Sequence, residues 1–428
     1  MTLTTSSPTS PDVEAAERLT IVSIDGHAGP PVRDYADYVD PAFTDQYRDY
    51  VAQVEGYDEA RQAEAQAPAD DGSNRAYGRA GRNSPIPGLW DPQTRLSSLD
   101  DDGIAAEVFY PQNAIPFHPY PALGNAEGRV EFSEDPSVLQ AGIHAYNRWL
   151  SDMCSAAPDR FIGVGVVPIG DIDKAVVEAE WIASSHLRGG LSLPPIVPTR
   201  PAYNDPRYEP FWAACEDLGL PLNVHGGGMA TYFGTGPEAM ALRFAETDWY
   251  MHRTLWFLIF SGVFERHPGL RLVFTEVRAE WVVPTLEKLD SIYEAKLANV
   301  KGFLSRKPSE YFRQNCFIGA SFMSRREAEC REVIGRHNLM WGRDYPHREG
   351  CWPWTLESIR KTFAGLPIDD VRLMLGNNAI DCYQLDRERL AEVAARVGPT
   401  VEQVEEPLLA RPSDADYSWG FREMGPFA

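Results

Sequence analysis

Short apolar runs alternate along the chain with longer stretches of helical period. TIVSID (20–25), AAEVFYP (105–111), FIGVGVVP (161–168), LRGGLSLP (187–194), LPLNVH (220–225), LRLVFTE (270–276), NCFIGAS (315–321) and LMWGRD (339–344) are eight strand candidates. Their apolar residues do not alternate strictly with polar ones, as expected of strands buried on both faces. Between them DIDKAVVEAEWIASS (171–185) opens on an acidic cap and repeats apolar residues at three- and four-residue spacing. YEPFWAACEDLG (208–219) ends in a glycine suited to a helix C-terminus. WVVPTLEKLDSIYEAKLANV (281–300) and RREAECREVIGRH (325–337) repeat the helical pattern. Eight buried strands alternating with helices predict an α/β (β/α)8 TIM barrel rather than a sandwich. A doubly wound nucleotide-binding sheet lacks its signal, because no G-x-G-x-x-G follows the first strand.

Three segments fall outside the repeat. Residues 1–19 are polar and read as a disordered leader. The barrel is expected over 20–383, with a polar, Gly- and Pro-containing insertion at 28–90 that would sit over the barrel mouth after strand one. Residues 384–428 form a C-terminal extension ending in the aromatic SWGFREMGPFA, expected to pack on the barrel or on a second copy in a homodimer.

Composition narrows the function classes. With 428 residues, 43% of them hydrophobic, the chain can bury a large core. No uninterrupted apolar run approaches the roughly 18 residues of a membrane-spanning helix. The N-terminus lacks the basic and apolar regions of a secretory signal. The six cysteines, at 154, 215, 316, 330, 351 and 382, are scattered without a C-x-x-C pair. They read as reduced thiols of a cytoplasmic protein rather than zinc ligands. A net charge of −22 repels phosphate backbones, so nucleic-acid binding is not expected.

Active sites of such barrels lie at the C-terminal ends of the strands. There the sequence places Asp25 and His27, His225, Glu276, Asp344 and His347. Each has an ordinary reading when taken alone: a helix cap for an Asp, a satisfied core or loop position for a His, an ion pair with Arg278 for Glu276. Together they put three of the nine histidines and three carboxylates on one rim. A carboxylate ending a buried strand is costly unless paired, and a bound cation would neutralise it. Of the remaining histidines, His118 is the best additional candidate because it follows strand two. Arg278, Arg343 and Arg348 are candidates for gripping a carboxylate or phosphate, and Trp341, Trp352 and Trp354 for lining an apolar pocket.

SIDGH, WDPQTRLSSLDDDGIAAEVFYP, YNDPRYEPFWAACEDLGLPLNVHGG, FTEVRAEWVVPTLEKLD and MWGRDYPHREGCWPW together resemble the amidohydrolase-related family of metal-dependent barrels. The resemblance spans about residues 20–385 and implies that Asp25, His27, His225 and Asp344 are metal ligands. It also marks a departure. Relatives that decarboxylate or hydrolyse commonly carry a catalytic histidine after strand six, where this chain has Glu276. The carboxylate-rich set is similar to a branch of non-heme diiron monooxygenases. That likeness implies two Fe ions held by Asp25, His27, His225, Glu276, Asp344 and His347. It further implies hydroxylation of a bulky hydrophobic substrate, CoA-linked or terpenoid, and an electron-donating reductase as partner. The alternative is one Zn or Mn ion in a hydrolase or decarboxylase, with Glu276 or His347 as the catalytic acid or base. A third reading is a binding barrel without catalysis.

Overall fold

The computed structural model describes residues 17–66, 86–112, 115–118, 133–197, 200–227, 236–295 and 299–425. Most of the expected leader and residues 67–85 of the insertion therefore lie outside the described residues. Among those described, the strands are β1 (Val22–Ser23), β2 (His27–Ala28), β3 (Ala106–Pro111), β4 (Phe161–Gly163), β5 (Gly165–Val166), β6 (Leu191–Ser192), β7 (Leu222–His225), β8 (Leu272–Thr275), β9 (Cys316–Ser321) and β10 (Leu339–Gly342). Every pairing between them is parallel.

These ten pieces form eight staves. β1 and β2 lie on one stave, both paired with β3. β4 and β5 make another, interrupted where Val164 N–H donates to Phe109 O at 3.0 Å and Gly165 N–H to Gly190 O at 2.9 Å. The order then runs from β5 through β10. Ile24 N–H donates to Trp341 O at 3.1 Å and brings β10 back to the first stave. Helices between the staves complete a (β/α)8 barrel, the architecture that the buried apolar runs predict. Its interior is apolar at mid-height, with Val22, Ile24, Val108, Ile162, Val273 and Met340 in one buried cluster.

Local departures have local causes. The expected strand 187–194 shrinks to β6 because Gly190 turns at φ 81°, where a Cβ would lie 2.1 Å from Pro221 O. The expected strand 20–25 splits at Ile24–Gly26, as the chain kinks to release Asp25 towards the rim. The helical pattern 325–337 breaks into Arg325–Glu329 and Arg331–Ile334, joined at Cys330. The predicted helix 281–300 stops at Glu294.

Within the insertion, the helix Thr44–Gln66 is anchored by Tyr47 OH on Val32 O at 2.5 Å and by Tyr50 OH on His118 O at 3.0 Å. The C-terminal extension lies along the barrel from base to rim. At the base, Leu19 N–H donates to Pro399 O at 2.9 Å. At the rim, Trp419 N–H donates to Glu349 O at 2.8 Å and Ser418 Oγ to Gly350 O at 2.7 Å.

Beneath the rim lies an ionic cluster in which Arg95, Glu107 and Arg343 are fully buried. Arg343 Nε donates to Glu107 Oε1 at 2.7 Å and Arg95 Nε to Glu107 Oε2 at 2.8 Å. Arg343 Nη1 also reaches Asp102 Oδ2 at 2.5 Å. Burial alone would raise the Glu107 carboxyl, but the two guanidiniums hold it below the ordinary range. Arg343 is therefore a structural cation, and the expectation that it grips a ligand is corrected. Glu107→Gln would leave two buried guanidiniums short of one negative charge. Denaturant titration should show a stability loss of about 3–5 kcal/mol.

Candidate metal centre

The rim residues reach one another because the backbone bends at each stave end. Asp344 N–H donates to Asp25 O at 2.9 Å, and His27 N–H to Tyr345 O at 2.8 Å, stitching the loop after β10 to the first stave. Asp344 has φ 57° and Glu276 has φ 59°. Non-glycine residues in the left-handed region cost roughly 1–3 kcal/mol each and persist where the surroundings fix them. Here both turns aim a carboxylate inward. Gly226, directly after His225, leaves the room Glu276 needs, since a Cβ there would lie 2.5 Å from Glu276 O and 2.8 Å from its Oε2.

The side chains form one compact constellation. His225 Nε2 lies 3.2 Å from Asp25 Oδ1, and His27 Nε2 lies 3.8 Å from the same oxygen. His27 Nε2 is 3.2 Å from Asp344 Oδ1, and His347 Nδ1 is 2.8 Å from that oxygen. Glu276 Oε2 is 3.5 Å from His225 Nδ1. The far nitrogens of the first two histidines face carbonyls: His27 Nδ1 is 3.4 Å from Pro111 O and His225 Nδ1 is 3.0 Å from Gly226 O. Such contacts orient an imidazole so that Nε2 faces the centre.

Charge is crowded here. Burial and the Asp344 charge push the Glu276 carboxyl up to about 8. Burial opposes charge on His225 and His347, yet Asp25 raises the first to about 9 and Asp344 raises the second to about 10. Burial and the neighbouring His347 lower His27. Protons and a divalent cation compete for such a set, since ligating imidazoles must be neutral and ligating carboxylates ionised. A cation fits the donors present. Asp25, His27 and His225 offer ligand atoms within 4.8 Å of one another, as do His27, Asp344 and His347. Asp344 Oδ2 is buried with no hydrogen-bond partner among the described residues. An unsatisfied buried carboxylate oxygen is costly, and a metal ion would satisfy it.

All six residues singled out in the sequence thus meet at one rim. His118 does not, since its Nε2 faces Leu139 O at 3.0 Å. Arg278 is largely buried between Phe322 and Trp419, with ring distances of 5.3 and 4.9 Å. Arg348 stacks on Tyr417 at 4.0 Å. Trp341 is fully buried and belongs to the core. Sequence reasoning missed Gln112, whose Oε1 is 3.2 Å from His347 Nε2. It also missed Glu349, which groups with Glu276, Asp344 and His347. Both were within reach of the rule applied to the others, since Gln112 directly follows a predicted strand and Glu349 lies two residues past His347.

Comparison with known proteins gives a consistent picture. A family model described as amidohydrolase matches residues 90–385. The chain is 28% identical over 269 residues to gamma-resorcylate decarboxylase of Rhodococcus jostii (strain RHA1), covering 56% of this chain and 76% of the relative. A solved amidohydrolase of Mycobacterium avium subsp. paratuberculosis K-10 superposes with a TM-score of 0.64 at 20% identity, over 87% of this chain and all of that one. 5-Carboxyvanillate decarboxylase of Novosphingobium aromaticivorans DSM 12444, solved with manganese and 4-hydroxy-3-methoxy-5-nitrobenzoic acid, superposes with a TM-score of 0.60 at 18% identity, over 86% of this chain and 96% of that one.

These findings correct the expectation of a diiron monooxygenase with a reductase partner and a CoA-linked or terpenoid substrate. The relatives overturn it, because they include decarboxylases, one of them solved with manganese. The donor groups overlap in one constellation, sharing His27 and then Asp344 and His347. Similar curated proteins include two kinds of decarboxylase. One metal ion replaces two, and the monooxygenase reading gives way to the amidohydrolase family. The barrel, its metal-binding rim and a family match over well more than half of the 428 residues lead to one assignment: the chain is a metal-dependent enzyme that belongs to the amidohydrolase family.

Proposed function

We propose that this enzyme decarboxylates a small hydroxylated aromatic acid, using one manganese or zinc ion held by Asp25, His27, His225 and Asp344. The observation that carries this reading is the donor set with a protonatable carboxyl, Glu276, at its edge, 3.5 Å from His225 Nδ1. Likeness to a gamma-resorcylate decarboxylase supports it. When bound, the ion supplies a Lewis acid for the oxygens of the substrate.

The protein groups do the rest. Glu276 delivers its proton to the ring carbon that bears the carboxylate. The bond between ring and carboxylate then breaks, its electron pair stays on the ring, and carbon dioxide leaves. Solvent returns a proton to Glu276. Burial favours the acid form of this carboxyl, which such a step requires. His347 lies between Asp344 and Gln112 at the edge of the donor set.

The test is turnover of metal-stripped protein reloaded with Mn²⁺ or Zn²⁺. 2,6-Dihydroxybenzoate, 5-carboxyvanillate and related hydroxybenzoates are offered, and carbon dioxide and the aromatic product are followed. Metal-dependent release of carbon dioxide from one of them is expected. Metal-loaded protein that leaves the whole panel intact, or that hydrolyses esters or amides without releasing carbon dioxide, would overturn the reading.

A further inference from the structure

We propose that Ser321 is a positioning residue that fixes Asp25 as a one-oxygen ligand of the metal centre. The inference rests on the reading of Asp25 as a ligand. Ser321 closes β9, two staves from Asp25 and on the far side of β10. Its hydroxyl nevertheless donates to Asp25 Oδ2. The intervening position on β10, in register with Ser321, is Gly342. A Cβ on Gly342 would lie 2.8 Å from the Asp25 Cβ and 3.0 Å from its N. The glycine thus opens a gap through which the carboxylate leans across one stave to reach the next.

The consequence is a division of labour between the two oxygens of Asp25. Oδ2 is taken by Ser321, while Oδ1 faces His225 Nε2 at 3.2 Å and His27 Nε2 at 3.8 Å. Asp344 has no such anchor, since its Oδ2 is buried without a hydrogen-bond partner among the described residues. The centre therefore pairs one carboxylate held rigidly with one whose second oxygen is uncommitted. Ser321 and Asp25 are both essentially inaccessible, at 1% and 0% exposure, so water cannot replace the lost donor without new space. Groups that hydrogen-bond a ligand in this way typically carry 10- to 100-fold in metal affinity.

Purified wild type, Ser321→Ala and Ser321→Cys are titrated with Mn²⁺, free ion being followed by electron paramagnetic resonance, and the thermal midpoint of each metal-free protein is recorded. Cysteine is slightly larger than serine, so it fills the same space, and is only a weak donor. The expected result is a 10- to 100-fold weaker Kd in both variants. A Cys variant that binds like wild type shows that packing, not donation, is what matters, and overturns the inference. So does an Ala variant whose metal-free midpoint falls while its Kd stays at the wild-type value. Wild type that binds no Mn²⁺ removes the ligand reading of Asp25 itself. Wild-type binding with unchanged variants removes only the role of Ser321.

Discussion

His225→Ala is expected to purify without metal and without turnover. His225 is one of two imidazoles whose Nε2 faces the shared carboxylate oxygens, at 3.2 Å from Asp25 Oδ1. Removing it leaves His27 as the one nitrogen donor close to Asp25. Two carboxylates and one imidazole make a weaker and less selective site for manganese or zinc. The side chain is part-exposed at 16%, so its loss should not unseat the barrel. Metal content by mass spectrometry should fall from about one ion per chain to near zero, while the far-ultraviolet circular dichroism spectrum is retained. Turnover should fall by more than the roughly 100- to 10,000-fold that a single proton-transfer group supplies. An unchanged metal content in the variant would remove His225 from the ligand set.

Glu276→Gln probes the chemistry rather than the metal. The substitution keeps the shape of the side chain and the turn at φ 59°, but removes the transferable proton. If Glu276 is the acid that protonates the ring carbon, kcat should drop roughly 100- to 10,000-fold. Metal stoichiometry and KM should stay near wild type. The pH profile supplies the sign. A proton donor works in its protonated form, so the wild-type rate should decline as pH rises through the pKa of this carboxyl, which burial and Asp344 raise. That alkaline limb should vanish in the Gln variant. Loss of metal in place of loss of kcat would make Glu276 a ligand, as its membership of the Glu276, Asp344, His347 and Glu349 group allows.

The two variants separate what the six rim residues do, which their positions in the sequence cannot. Asp25, His27, His225, Glu276, Asp344 and His347 stood out because each polar residue follows an apolar run. The chain reveals this wherever a strand is buried on both faces and must end at solvent. The same rule over-reached at Arg343, one residue before Asp344. Its position resembles a rim cation, yet its side chain points down to Glu107 and Asp102. Successive residues on a strand face opposite ways, and a kink at the stave end shifts that alternation unseen. The diiron reading failed for a related reason. Counting donors gave enough for two ions, whereas the donor groups overlap and the similar proteins include decarboxylases.

Legible along the chain were the barrel, the lack of a G-x-G-x-x-G after the first strand, and the polar residues that gather at the rim. Each follows from hydrophobic period or from a residue type at a strand end, and both are local properties. Folding in three dimensions set how the donors share oxygens, which arginines are buried as counterions, and where the extension lies. It also decided that Asp25 meets Ser321 across Gly342, 296 residues apart in the chain. Those contacts depend on barrel closure, which brings the first stave beside the last. No pattern along the chain encodes a distance between residues that only closure makes neighbours.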